Sequence, residues 1–600
     1  MQVLVECLGS ALAIVWILCL KRRIRIARLP IIDAIANDRI GAVVLAGIVG
    51  FAVSTTTGLW RGIPVPRIHD EFCYLLAADT YAHGRLTNRP HPEWEHFESI
   101  HLLSQPTLMS KYPPGQALVL ALGEMATGEP ITGVWFSIGL AGAAVCWMLR
   151  CWVPARWACF GGICLALRLA TNYWGQSYWG GAVATIGGAL LFGAAVRLAR
   201  DFDWRTSVAL GSGIAILSLT RPYEGCIATV VATLACCYRR WRQSGTTPIL
   251  FLRSIRLPDV KRVALHAVLP AALIVACTGV WLSYDNFFVT GRWWTTPYQA
   301  HDAQYAACPN FLFEEPGAVP AYRHVDMERY YVNWERERFL RKRFAYGFNG
   351  SGITKLWIFV KFFIGPLWAI PVGLALWRFR TRGVNLAAGA LGVALLAMSQ
   401  TLYLHPHYLA PFTGFTVLIA VQGWRTLKGW GPTGRELARA TCAVAVAAPL
   451  LVGAICRNPT TSRRSEILAL IRQFPGKHLV LVECGESGKC HEGWIYNEAN
   501  LSDAMVVWAR SIDPFSDAEL CASMNERMVW RLRVNDKACE LSEVCRSTFP
   551  AVSQPGRLNV RPAATPLRQE RMAMAATQIS PIGLRSAPDN SRTLAPAAVP

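Results

Sequence analysis

A chain of 600 residues with 53% hydrophobic and only 16% charged side chains is too apolar for an ordinary soluble multidomain protein. That balance implies an integral membrane protein. The formal net charge of +21 does not require a nucleic-acid partner, because polytopic proteins collect Lys and Arg in their cytoplasmic loops. Nor do the nineteen cysteines imply a disulfide scaffold: Cys146, Cys159, Cys164, Cys236 and Cys237 sit inside apolar runs, where Cys packs as a small hydrophobe. Five others, Cys484, Cys490, Cys521, Cys539 and Cys545, lie in a polar C-terminal region and can pair if it faces an oxidising compartment, leaving at least one free. Their spacing matches no zinc site.

The first apolar run, residues 3–20, is followed at once by Lys21, Arg22, Arg23, Arg25 and Arg28. A cleaved signal peptide carries its charge before the apolar core, so this run predicts a retained span with a cytoplasmic C-terminal end. Residues 41–60 then cross back, which places the loop 61–112 on the periplasmic face of a bacterial inner membrane. Further spans are predicted at 131–149, 157–172, 180–198, 207–220, 225–237, 263–284, 353–377, 384–404, 409–424 and 441–456, about twelve in all against the ~20 residues a crossing needs. Each predicted cytoplasmic connection is cationic: Arg150 and Arg156; Arg197, Arg200 and Arg205; the stretch from Arg239 to Arg262; Arg378, Arg380 and Arg382; and Arg425, Lys428, Arg435 and Arg439. The runs 157–172, 207–220 and 225–237 are short for full crossings and read as tilted, re-entrant or buried. Segment 116–126 is shorter still and follows a Pro pair, as an interfacial helix would.

A second external loop, 285–355, is rich in aromatics such as Trp293, Trp294, Tyr298, Tyr330, Tyr331 and Trp334. Beyond Cys456 the pattern predicts a small periplasmic α/β domain over 457–549, with helices at 465–474 and 517–527 and strands at 478–483, 504–508 and 528–534. Residues 550–600, mostly Ala, Pro, Arg and Ser, read as a disordered tail. The expected architecture is a polytopic α-helical membrane protein: an N-terminal span and basic loop (1–39), a transmembrane domain with two external loops (40–456), the α/β domain and the tail. No internal repeat of transporter type is visible.

Two motifs in the first external loop are suited to chemistry: His69-Asp70-Glu71-Phe72 and, at its far end, Lys111-Tyr112-Pro113-Pro114-Gly115. Asp70 has two readings. It is the N-cap of an amphipathic helix on which Phe72, Leu75, Leu76 and Asp79 fall at helical spacing, or it is a general base at the outer surface. Cys73 leaves the capping box incomplete. Adjacent carboxylates on one element diverge, whereas a glycoside hydrolase needs two carboxyl groups facing each other across ~5–9.5 Å of substrate. A lone base suits transfer from a sugar phosphate, whose leaving group departs without a protonating acid while nearby cations stabilise its charge. Lys111 is one such cation, and Arg221, in Thr220-Arg221-Pro222-Tyr223-Glu224-Gly225, is another. The plainer readings are interfacial snorkelling for Lys111 and a structural pair with Glu224 for Arg221.

His69, His101, His405 and His407 lie on the outer face, yet sequence alone does not gather them into a metal site, and hydrogen-bonded His is the commoner outcome. His405-Pro406-His407-Tyr408, at the outer end of a span, reads as cavity lining. The aromatic stretch 173–181, with Tyr178, reads either as a sugar- or lipid-facing wall or as an interfacial aromatic belt.

A many-span chain with a carboxylate pair in its first large external loop (Asp70-Glu71), a Lys-Tyr-Pro-Pro motif at that loop's end (Lys111 to Pro114) and further outer-face loops resembles the GT-C superfamily of membrane glycosyltransferases. Bacterial relatives of protein mannosyltransferases and aminoarabinose transferases are nearest in pattern. The resemblance implies inverting transfer of a sugar from a polyprenyl-phosphate donor to a glycan, lipid or protein acceptor on the outer face. It implies Asp70 as base, Glu71 as its orienting neighbour and Lys111 as a donor-phosphate contact. Sidedness alone adds Arg221 to the phosphate contacts, and His69, Tyr112, Tyr178, Glu224, His405, His407 and Tyr408 to the cavity. No cofactor is required, a divalent metal has no support in the sequence, and membrane lipids are the remaining partners. The extra N-terminal span and the C-terminal α/β unit depart from the simplest members. Rival classes are a secondary transporter or lipid flippase, whose ionisable residues usually sit at mid-membrane, and a non-catalytic envelope assembly protein acting through its C-terminal domain.

Overall fold

The computed structural model describes residues 30–247, 261–345, 347–381, 383–458, 460–484, 493–535, 539–545 and 558–560. The predicted span at 3–20 with its basic flank, Arg253, Arg256, Cys490 and most of the predicted tail lie outside the described residues, as do the side chains of Cys484 and Cys545.

Helices follow the apolar runs. After a short helix at Pro30–Asn37, α1 (Arg39–Arg61) starts at Asp38, whose Oδ2 accepts from the Ile40 and Gly41 N–H groups at 2.9 and 2.7 Å. Then come α2 (His69–Ala82), α3 (Gly115–Thr127), α4 (Ile131–Leu149), α5 (Ala155–Ala170), α6 (Ala182–Leu198), α7 (Trp204–Thr220) and α8 (Pro222–Ser244). The second half holds α9 (Leu269–Thr290), α10 (Pro297–Tyr305), α11 (Gly365–Trp377), α12 (Val384–Ser399), α13 (Thr413–Lys428) and α14 (Gly431–Ile455). Against about twelve expected spans, five helical stretches among the described residues are long and apolar enough to cross a membrane: Arg39–Arg61, Ile131–Leu149, Lys261–Thr290, Ser351–Trp377 and Gly431–Ile455. Both α6 and α12 are apolar but shorter. The predicted runs 207–220 and 225–237 are one nearly continuous pair, broken only at Arg221, where Pro222 cannot continue the hydrogen-bond ladder of α7 and instead opens α8.

Small residues let these helices touch. A Cβ placed on Gly142 of α4 would stand 2.9 Å from the Ala166 Cβ of α5 and 3.2 Å from the Ala46 carbonyl of α1, so three backbones meet where only hydrogen fits. At the end of the same bundle Arg61 is buried. Its guanidinium donates to the carbonyls of Val452 (2.6 Å), Thr171 (2.9 Å) and Gly453 (3.0 Å), supplying donors to the C-terminal ends of α5 and α14 that the apolar surroundings cannot.

The loop 61–112 carries a two-stranded antiparallel ribbon, β1 (Leu102–Leu103) on β2 (Met109–Ser110), which the sequence pattern did not announce because each strand is only two residues long. After α14 come α15 (Arg463–Ile471), β3 (Lys477–Cys484), β4 (Val506–Arg510), α16 (Pro514–Ser523), β5 (Arg527–Val534), β6 (Cys539–Cys545) and β7 (Leu558–Val560). The strands form one sheet in the order β4-β3-β5-β6-β7, parallel through β4, β3 and β5 and antiparallel beyond. Strand β7 falls where a disordered tail was expected. Val480, Val482, Trp508, Trp530 and Leu532 on one face pack with Ile467 and Ile471 of α15, while Leu479, Leu481 and Val507 on the other pack with Leu520 of α16 and with Phe97 of the loop 61–112.

Replacing Gly142 by Val should destabilise the protein by about 1–3 kcal/mol through overpacking. The same change at Gly279 of α9, where nothing lies within 4 Å, should leave thermal unfolding of the detergent-purified protein nearly unchanged.

Candidate active site

Glu71 organises the start of α2. Ile68, in the N-cap position, offers no side-chain acceptor, so the Glu71 carboxylate turns back: Oε2 accepts from the N–H groups of Arg67 (2.9 Å) and Ile68 (3.3 Å). Its other oxygen accepts from the Tyr178 N–H at 3.1 Å, tying the helix to the turn after α5. Burial pushes this carboxyl up to about 6 while those donors pull it down. Asp70 is therefore not the helix cap. Glu71, expected to orient a neighbouring base, is occupied by backbone. Tyr178, expected to line the cavity, is a buried strut whose hydroxyl donates to the Pro64 carbonyl at 2.9 Å.

Asp70 points the other way, as adjacent helical residues do. Its Oδ1 accepts from the Tyr112 hydroxyl at 2.7 Å and lies 3.6 Å from His101 Nε2, and a quarter of the side-chain surface stays open. Tyr112 is held by stacking on Tyr74, one helical turn beyond Asp70, with centroids 5.0 Å apart. Burial pushes the Asp70 carboxyl above the usual range, opposed by the Tyr112 hydrogen bond and by the charges of Lys111 and Arg221.

Both cations rest on aromatic faces. Lys111, buried at the end of β2 with its N–H bonded to the His101 carbonyl, holds Nζ 4.8 Å from the Tyr298 ring centroid and 5.7 Å from that of Tyr112. Arg221, at the break between α7 and α8, lies 4.7 Å over the Tyr408 ring. Among the described residues neither side chain has an ion-pair partner within 4 Å or a hydrogen bond, so Arg221 and Glu224 make no direct ion pair and interact only at longer range. Glu224 itself is buried in the first turn of α8.

Around this centre the structure places the other residues singled out by sequence. His69 Nδ1 lies 2.9 Å from the Tyr496 hydroxyl, and its ring packs edge-on against His101 and Tyr330. His405 and His407 stack on each other, 5.4 Å apart at 9°, against Trp179 and Tyr408, with His407 Nδ1 3.2 Å from the Tyr173 hydroxyl. These histidines do not form a metal-spaced group; among the described residues that spacing is found for Asp79, His83 and Glu124, on α2 and α3.

Sequence reasoning missed the inner aromatic shell. His101 adopts φ +67°, an uncommon conformation for a residue with a side chain, and sets its ring between Asp70 and the Tyr330 hydroxyl, 3.0 Å from Nε2. Burial, with the nearby Lys111 charge, pushes this imidazole well below its usual range, so it is neutral. His301 repeats the arrangement, with Nε2 3.1 Å from the Tyr331 hydroxyl and Nδ1 3.4 Å from Asp302, and burial pushes it down to about 4. In the sequence His101 reads with the other outer-face histidines only as a candidate metal ligand, and His301 does not stand out, because their tyrosine partners Tyr330 and Tyr331 lie 229 and 30 residues away.

No protein-family model matches the sequence, and no curated protein matches it. Solved structures do. ArnT from Cupriavidus metallidurans bound to undecaprenyl phosphate is 14% identical at a TM-score of 0.43, the match covering 83% of this chain and 94% of that one. The Archaeoglobus fulgidus oligosaccharyltransferase in complex with Zn and sulfate is 11% identical at a TM-score of 0.44, with coverages of 82% and 67%. AglB from the same archaeon, in complex with an inhibitory peptide and a dolichol-phosphate, is 11% identical at 0.37, with coverages of 81% and 69%.

Because burial raises the folded-state pKa of Asp70 above its unfolded value, ionising it costs stability at pH values above the unfolded pKa and nothing below it. Asp70→Asn should therefore melt higher than wild type at pH 7–8, the gap closing towards pH 3. A tenfold difference in acidity between the folded and unfolded chains is worth about 1.4 kcal/mol, or about 2–4 °C in a domain of moderate size, which differential scanning fluorimetry resolves.

Proposed function

We propose that the protein is an inverting glycosyltransferase that moves a sugar from a polyprenyl-phosphate-linked donor to an acceptor hydroxyl at the periplasmic face of a bacterial inner membrane. In this reading the chain crosses the membrane about twelve times, and the sheet after α14 lies on the same side as Asp70. The observation that carries it is the combination at one place of a partly open carboxylate, held by Tyr112, with two cations that have aromatic faces but no carboxylate partner within 4 Å among the described residues.

Chemically, Asp70 removes the acceptor O–H proton as that oxygen attacks the anomeric carbon from the side opposite the phosphate. The new C–O bond forms as the bond from the anomeric carbon to the phosphate oxygen breaks, the configuration inverts, and the polyprenyl phosphate leaves with its charge facing Lys111 and Arg221. The step uses side chains alone and requires no cofactor. Tyr112 keeps the carboxylate aimed, and the neutral His101 beside it adds no competing positive charge. Tyr408, beneath the Arg221 guanidinium, and the His405, His407 and Trp179 cluster line the approach. A polyprenyl phosphate is named for the ArnT and AglB structures; here that ligand class is proposed from Lys111 and Arg221.

Asp70→Asn should reduce transfer from lipid-linked sugars extracted from the host membrane by about 10²–10⁴-fold, the usual contribution of a general base, while leaving binding of undecaprenyl phosphate intact. Lys111→Gln and Arg221→Gln should each weaken that binding about tenfold, equivalent to losing one charge-assisted phosphate contact. Full transfer activity in Asp70→Asn sinks the assignment of the base.

A further inference from the structure

The far end of the bundle holds a second site that the reaction does not use. Helix α4 starts beside the Asp70 region, where Ile131 packs with Tyr74, Leu103 and Met109, and ends at Leu149, about 28 Å away at 1.5 Å per residue. There a cavity of about 490 Å³ opens between the α4–α5 turn, the α11–α12 turn and the end of α13. Its walls include Arg150, Trp152, Pro154, Thr381, Gln422 and Arg425.

Among the described residues the charged side chains lining this cavity are Arg150 and Arg425. Arg425 is aimed by donating through Nη1 to Gln422 Oε1 at 2.8 Å, and Arg150 is anchored through one nitrogen on the Arg39 carbonyl. Directly behind the wall, Arg197 Nη1 lies 3.0 Å from Cys151 Sγ, and Arg200 Nη2 donates to the Cys151 carbonyl at 2.9 Å. No carboxylate lines the cavity among the described residues. Asp38, which lies within electrostatic range of Arg150, is occupied by capping α1. Two arginines lining one cavity suit a phosphate, which guanidinium groups hold through paired N–H donors. The remaining wall, Trp152, Val153 and Pro154, is apolar and suits glycerol and the first methylenes rather than water. A free anion would gain nothing from that wall.

We propose that this cavity binds the headgroup of an anionic glycerophospholipid in the leaflet opposite the Asp70 site, the phosphate lying between Arg150 and Arg425 with its glycerol against Trp152. General attraction of basic loops to an anionic leaflet needs no cavity and distinguishes no residue; a cavity walled by two arginines and an indole does both.

The test uses the full chain purified in detergent, with phosphatidylglycerol, phosphatidylcholine and inorganic phosphate as probes and native mass spectrometry and thermal unfolding as readouts. Phosphatidylglycerol should bind at least tenfold tighter than phosphatidylcholine and raise the melting temperature. The double variant Arg150→Gln/Arg425→Gln should lose that preference. Thr381→Glu, which leaves both arginines and their hydrogen bonds in place, should lose it too and decides the matter should the double variant not fold. Equal binding of the two lipids, or an unchanged preference in Thr381→Glu, overturns the proposal. So does inorganic phosphate that displaces phosphatidylglycerol at millimolar concentration and stabilises the lipid-free protein as well, because the occupant would then be a free anion.

Discussion

A buried carboxylate must find hydrogen-bond donors, and Glu71 finds three in the backbone, two in its own helix entry and one in the turn after α5. Everything at the candidate site depends on that arrangement. It fixes where α2 begins and which way it is rotated. Asp70, one residue earlier and about 100° away around the helix, then has only one direction to face, towards Tyr112, His101 and the two cations. Two neighbouring carboxylates thus acquire opposite characters. Glu71 is saturated and chemically quiet; Asp70 has one strong hydrogen bond and an open side.

The positive half of the site is held by a different device. Lys111 and Arg221 sit where a carboxylate partner would be the cheapest neutralisation, yet what they touch is the faces of Tyr298, Tyr112 and Tyr408. A ring quadrupole offsets part of the desolvation cost, about 0.5–2 kcal/mol per contact, and does not quench the charge as an ion pair would. Lys111 and Arg221 therefore still act on Asp70 and oppose the rise that burial imposes on its carboxyl, while Glu224 lies within electrostatic range of Arg221 and Asp302 within that of Lys111. The left-handed backbone of His101 belongs to the same set of constraints: its carbonyl receives the Lys111 N–H while its ring fills the space between Asp70 and Tyr330.

Much of the fold was legible in the sequence because apolar runs, cationic turns and the Val-rich strands of the C-terminal region are local signals. Strand β3 at Lys477–Cys484 contains the expected 478–483, and β5 at Arg527–Val534 contains 528–534. Helix α8 outran its apolar core because Tyr238, Arg239 and Arg240 continue a helix as well as they end a span. At the site, the motif residues Asp70, Lys111 and Tyr112 could be found by pattern, but the division of labour between Asp70 and Glu71 could not. It depends on the Tyr178 N–H, more than a hundred residues away in sequence, and on the absence of a capping side chain at Ile68. The pairing of Arg221 with Glu224 was the natural local reading and holds only at longer range, because Arg221 is the non-helical residue at the break, with φ −142° and ψ 72°, so the usual three-residue spacing on one helix face does not apply.

The sheet after α14 is more than an appendage, because it completes the wall behind Asp70. Tyr496, in the segment between β3 and β4, stacks on Phe72 of α2 at 4.7 Å and donates to the Ile100 carbonyl, next to His101, while its oxygen also lies 2.9 Å from His69. Arg464 of α15 covers the Phe72 ring and donates to the Tyr496 carbonyl. At the edge of β4, Arg510 donates to the Glu98 carbonyl at 2.8 Å and to Asp326 at 2.6 Å, joining the loops 61–112 and 285–355 through one side chain. Outside their helices and the two-residue ribbon these loops are largely irregular, so His101 at its positive φ and Tyr330 against it depend on packing from other elements. The rigidity must come from what packs on them. A folded sheet carrying Tyr496, Arg464 and Arg510 provides it, which makes the geometry around Asp70 a property of the helical bundle and the sheet together.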